Sequence, residues 1–104
     1  MKVNVIGHNY ELCNFENKEL TGQTLQFIQK EPSSETPLTL VTISDGTTNE
    51  EVLEVLIDRM KYLNDCFPCR ENAIVITKLE ESLMWLNKRT SDRVKRNVEG
   101  KHIV

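Results

Sequence analysis

No apolar run in this sequence approaches the ~20 residues that a membrane-spanning helix needs. Its first dozen residues, MKVNVIGHNYEL, lack the continuous apolar stretch of a secretory signal. A cytoplasmic protein is the expectation. Aromatics make up 6% of the chain, and Gly 4 and Pro 3 are too few for a collagen-like or low-complexity sequence. Histidine is scarce: His8 and His102 fall in predicted turn or terminal regions, with no serine or cysteine at motif spacing. A Gly-rich phosphate loop, HExxH and GxSxG are all missing. Glu80 and Glu81 are adjacent, hence about 100° apart on a helix, and do not converge on a substrate. Binding without turnover is the economical expectation, with no catalytic residue, cofactor or metal.

Three cysteines, Cys13, Cys66 and Cys69, cannot all pair within one chain, which argues against a secreted disulfide framework. Cys66-Phe67-Pro68-Cys69 spells CxxC but lacks the preceding βα context of a thioredoxin-like site. A zinc site would have to draw its fourth ligand from His8 or His102. The expectation is a turn whose cysteines serve as small apolar residues.

What is present is a 104-residue chain, 38% hydrophobic and 28% charged, of a size for one domain. A chain this long buries roughly two-thirds of its unfolded surface, leaving little interior for both a core and an enclosed site. A ligand site shared between subunits is therefore expected. The net charge of −3 is uneven: residues 1–84 hold 7 basic and 14 acidic side chains, residues 85–104 hold 6 basic and 2 acidic. An acidic body argues against a general nucleic-acid binder, whereas the basic end suits one small anion or, structurally, a helix C-terminus.

Residues 1–44 read as short strands at 2–6, 10–15, 23–29 and 38–43, forming one small antiparallel sheet. Residues 31–37, EPSSETP, read as a polar loop. From Asp45 the period changes. Thr47 or Thr48 caps a helix, with Glu50 or Glu51 completing a capping box, and Val52, Leu53, Leu56, Ile57, Met60 and Leu63 recur at helical steps to about Leu63. Pro68 suits the start of a second helix, running from Cys69 to about Val98 with Gly100 as its stop. Ile76, Leu79, Leu83 and Leu86 form its packing stripe. The fold class is α+β: a small N-terminal antiparallel sheet and a C-terminal two-helix hairpin over 45–104, within a single domain. The second helix is longer than the first by several turns, and its overhang invites a second subunit.

A different face of that helix carries Arg70, Ile74, Thr77, Lys78, Glu81, Trp85, Arg89, Asp92, Arg93 and Arg96 in steps of three or four. Cations and an aromatic thus share one surface. A planar base stacks on an aromatic or guanidinium face and a diphosphate is held by forked Arg donors, so the combination suits a small nucleotide. Asn72 adds a donor and acceptor pair that reads a base edge or a ribose. The competing reading is structural: Trp85 as core, Glu81 paired with Arg89 or Lys78, and Asp92 paired with Arg96.

The linked set Asp45-Gly46-Thr47-Thr48-Asn49-Glu50-Glu51-Val52-Leu53, Ile57-Asp58-Arg59, Phe67-Pro68-Cys69-Arg70-Glu71-Asn72-Ala73, Thr77-Lys78-Leu79-Glu80-Glu81, Trp85-Leu86, Arg89-Thr90 and Val98-Glu99-Gly100 resembles the hairpin-domain family of phage anti-Thoeris and anti-CBASS sponges. The strand region ahead of DGTTNEEVLEVLIDR looks most like the anti-Thoeris branch. The resemblance implies capture, without cleavage, of a cyclic ADP-ribose isomer such as glycocyclic ADP-ribose, with a cyclic oligonucleotide as the alternative ligand. It also implies a homodimer or higher homo-oligomer with the messenger where subunits meet. Arg70, Asn72, Arg89 and Arg93 become ligand contacts, with Tyr62, Phe67 or Trp85 as the aromatic partner. Two departures stand out: Cys69 where a serine-like cap is expected, and Asn97 in place of a glycine. A nucleic-acid-binding regulatory module acting through residues 88–101, and a purely structural interaction protein, are the rival functions.

Overall fold

The computed structural model describes residues 1–97 as an α+β chain of five strands followed by two helices. They belong to two compact units, Met1–Thr48 and a second that begins at Asn49. The predicted stop at Gly100, and His102, lie outside the described residues.

In the first unit β1 (Lys2–Val5), β2 (Asn9–Cys13) and β3 (Thr21–Gln26) form an antiparallel sheet in that order. Gly7, at φ 79, turns the chain between β1 and β2 in a conformation that costs most residues a Cβ clash, and the His8 N–H donates to Val5 O across the turn at 3.0 Å. Three carboxamides tie the strands together on one side. Asn4 Nδ2 donates to Asn9 Oδ1 at 2.9 Å, Asn9 Nδ2 to Gln26 Oε1 at 2.5 Å, and Gln26 Nε2 to Phe27 O at 2.7 Å.

The expected single sheet is two. Residues 23–29 do not form one strand, because the backbone changes partners inside them. Phe27 N–H still donates to His8 O on the β2 side (2.8 Å), but Ile28 N–H donates to Thr47 O (2.8 Å) and Gln26 O accepts from Thr47 (2.9 Å). The crossing is close enough that a Cβ on Gly46 would collide with the Gln26 carbonyl and the Phe27 backbone. Past it, β4 (Gln29–Pro32) pairs antiparallel with β5 (Leu40–Ser44). Glu31 and Pro32 thus belong to a strand and not to the polar loop. Pro32 is tolerated because a two-stranded sheet leaves each strand an unpaired edge. Tyr10 and Phe27 pack edge to face, 6.0 Å between ring centroids.

In the second unit α1 (Asn49–Cys66) starts directly after Thr48, with Glu50 and Glu51 in its first turn, where the helix dipole favours acids. It runs three residues past Leu63 because Phe67 N–H still reaches Leu63 O, at 2.8 Å. Ile57 is the one buried apolar side chain among the described residues, with Val52, Leu53, Met60 and Leu63 half-buried around it. Burying it contributes about 2 kcal/mol. Leu56, expected in the stripe, lies on its flank and is exposed.

The helix α2 (Arg70–Lys95) answers with Ile76, Leu79, Leu83 and Leu86, all half-buried, and Lys61 pairs with Glu80 across the hairpin at 3.4 Å. Cys69 is the N-cap and Pro68 precedes it, one step earlier than expected. At the other end the helix stops short of Val98. Arg96 is the C-cap and Asn97 takes φ 56, the left-handed conformation that glycine usually supplies and asparagine tolerates. The 26 residues of α2 exceed the 18 of α1 by eight, or about 12 Å of helix.

Candidate functional site

The stripe that packs α2 on α1 advances from Ile76 through Leu79, Leu83 and Leu86, and the same spacing carried seven residues further reaches Arg93. An arginine therefore stands where an apolar residue would continue the seam. It is 5% exposed, the one buried charged residue among those described, and it is already engaged in a polar or electrostatic contact. Burial of a guanidinium is costly unless it is paired, so the position is better suited to a positioned cation than to general packing.

Around Arg93 the last three turns of α2 form a concavity of about 600 Å³ lined by Trp85, Lys88, Arg89, Asp92, Arg93, Lys95 and Arg96. Five of these are cations, one is an aromatic and one an acid. Trp85 is 63% exposed, which excludes the core role open to it from sequence and leaves an indole face able to receive a planar group. Asp92 pairs with Lys88 one turn back, Nζ to Oδ2 at 3.0 Å, and not with Arg96. The hydrogen bond and charge of Lys88, joined by Lys95 and Arg96, hold the Asp92 carboxyl below the usual carboxylate range. Glu81 pairs with Lys78 at 3.7 Å.

Three of the seven sequence-predicted contacts, Trp85, Arg89 and Arg93, meet in this concavity. The other four lie elsewhere. Phe67, 78% exposed, sits in the connection between the helices, and Arg70 and Asn72 occupy the first turn of α2. Nineteen residues separate Arg70 from Arg89, about 28 Å along the helix. Asn72 is committed locally: its backbone N–H donates to Cys69 Sγ at 3.4 Å and its Nδ2 to Phe67 O at 3.5 Å. Asn64 Oδ1 accepts from Cys69 N–H at 3.1 Å, completing the turn. The two cysteines of the CxxC are exposed, and Cys69 acts as a cap instead of a small apolar residue. Tyr62 faces another depression, lined by Glu51, Glu54, Val55, Asp58 and Arg59, where carboxylates predominate.

Lys88, Asp92, Lys95 and Arg96 were not among the predicted contacts. For Lys88, Asp92 and Arg96 the signal was available, since each falls three or four residues from Trp85, Arg89 or Arg93. Lys95 carries no such pattern beyond the basic ending of the chain.

The longer arm of the helical hairpin thus carries a cationic, tryptophan-walled concavity. Residues 24–91 match the family model of the Acb2/Tad1 hairpin domain, and the chain belongs to that family. The match begins in β3, so it takes in strands as well as the hairpin, and ends before Asp92 and Arg93. A protein of Bacillus phage SBSphiJ7, Thoeris anti-defense 1, is 55% identical over 60 residues, which are 57% of this chain and 42% of that protein. The matched stretch thus spans less than half the length of the relative.

Proposed function

We propose that this chain is a phage anti-defence protein that binds and sequesters a cyclic ADP-ribose-type signalling nucleotide in the host bacterial cytoplasm, blocking Thoeris immunity without degrading the messenger. The observation that carries the reading is the convergence of Trp85, Arg89 and Arg93 on one concavity of about 600 Å³. An indole face beside forked guanidinium donors matches a planar base joined to a diphosphate. Membership of the Acb2/Tad1 hairpin family and the name of the phage relative point the same way.

The reading includes a homo-oligomer. Arg70 and Asn72 in the first turn of α2, and Phe67 just ahead of it, lie too far from Arg89 to touch one small nucleotide within a single copy, so in this reading a second copy brings its hairpin tip to the first copy's concavity. Exposed Val55, Tyr62, Met84 and Trp85 supply apolar surface for that association. To deplete a scarce signal, capture must reach a nanomolar Kd, about −12 kcal/mol, which calls for a ligand enclosed by several charged hydrogen bonds and stacking together.

Isothermal titration with cyclic ADP-ribose isomers, with cyclic oligonucleotides as comparison ligands, tests the binding. Heating the complex is expected to return the ligand unaltered; recovery of linear ADP-ribose would make the protein a hydrolase. No heat and no melting shift with any nucleotide would leave it an interaction protein.

A further inference from the structure

Asp92 is the one acid lining a concavity that otherwise holds five cations and Trp85. Helix physics does not account for it. A carboxylate in the last turn opposes the negative end of the helix dipole. Its partner Lys88 stands four residues N-terminal, the weaker order for an i,i+4 ion pair, and both side chains are about half exposed, so solvent screens the pair. For a site that only grips phosphate, the acid is also a handicap, since it cancels one cation and repels the ligand.

We propose that Asp92 is a specificity-determining contact that accepts hydrogen bonds from the ribose hydroxyls of the bound nucleotide, so that the concavity prefers a nucleoside diphosphate to a bare pyrophosphate. This rests on the nucleotide-binding reading above. A carboxylate accepts up to about four hydrogen bonds, so the Lys88 ammonium on Oδ2 leaves acceptor capacity on the group. Like any exposed aspartate, Asp92 is ionised and acceptor-only at neutral pH, and the neighbouring Lys88, Lys95 and Arg96 move its protonation further into acid. Carboxylate to ribose hydroxyl is the pairing by which dinucleotide folds fix a ribose beside a cationic or dipolar phosphate cradle. Here the parts would be Trp85 for the base, Arg89 and Arg93 for the diphosphate and Asp92 for the sugar.

The test measures Kd for cyclic ADP-ribose and for inorganic pyrophosphate on wild type, Asp92→Asn, Asp92→Glu and Lys88→Gln. Asp92→Asn is expected to weaken cyclic ADP-ribose about tenfold or more while pyrophosphate binds as well or better. Asp92→Glu, which keeps the carboxylate, restores most of the preference. Lys88→Gln weakens both ligands and leaves their ratio, separating acceptance by Asp92 from mere support of the ion pair. An unchanged ratio in Asp92→Asn, or tightening of both ligands alike, overturns the assignment while the nucleotide reading stands. Failure of the wild type to bind cyclic ADP-ribose overturns that reading and the assignment with it.

Discussion

The sulfur of Cys69 lies 3.4 Å from the backbone nitrogen of Asn72 and accepts its N–H, closing the first turn of α2. Sulfur is a weak acceptor and a hydroxyl a stronger one at the same position. Cys69→Ser is expected to raise the melting temperature and Cys69→Ala to lower it, by less than the roughly 1 kcal/mol that a lost hydroxyl cap costs. Equal melting of all three proteins would mean the contact contributes nothing.

Arg89 is exposed, lines the concavity and lies off the apolar stripe of Ile76, Leu79, Leu83 and Leu86. Arg89→Ala should weaken nucleotide capture by about 2 kcal/mol, the loss expected for one charge-assisted contact, while the far-UV spectrum and melting stay as they were. Titration calorimetry with undiminished affinity would remove Arg89 from the site.

The Asp92 carboxyl is held low in the folded chain by its hydrogen bond and charge interaction with Lys88, then by Lys95 and Arg96. A carboxyl whose folded value is depressed contributes stability above its unfolded value and loses it as pH falls through the folded one. The pair therefore matters at neutral pH and fails only in acid. Carboxyl NMR titration should show the Asp92 midpoint rising toward the ordinary carboxylate range in Lys88→Met, Lys95 and Arg96 still holding it slightly down. An unmoved midpoint would take Lys88 out of the explanation.

Gly46 stands where two backbones cross, and a methyl group there would strike the Gln26 carbonyl. Gly46→Ala should cost about 2 kcal/mol, in line with overpacking elsewhere. Denaturant unfolding checks it, with amide exchange expected to rise first at Ile28 and Thr47, whose hydrogen bonds span the crossing.

The hairpin was legible because its two arms carry apolar residues at unbroken helical steps, from Val52 to Leu63 and from Ile76 to Leu86. The division of the strands into two sheets was not. Residues 23–29 alternate well enough to pass for one strand, and only the hydrogen bonds of Gln26 and Ile28 to Thr47, nineteen or more residues away, divide it. The helix ends before the expected Val98 because Asn97, already noted as standing in place of a glycine, takes that glycine's left-handed conformation, which helical spacing alone does not reveal. In the site, spacing placed Trp85, Arg89 and Arg93 on one face, and the concavity unites them. Spacing equally placed Arg70 on that face, because a helical wheel discards distance along the axis.

Ile57 stands alone as a buried apolar side chain among the described residues. A helical pair with so thin an interior leans on mass action: under the proposed assembly, dilution would loosen the fold and the capture site together. Capacity and order would then rise on the same curve, and early in an infection, when few copies exist, the chain would be at its weakest both as a structure and as a trap.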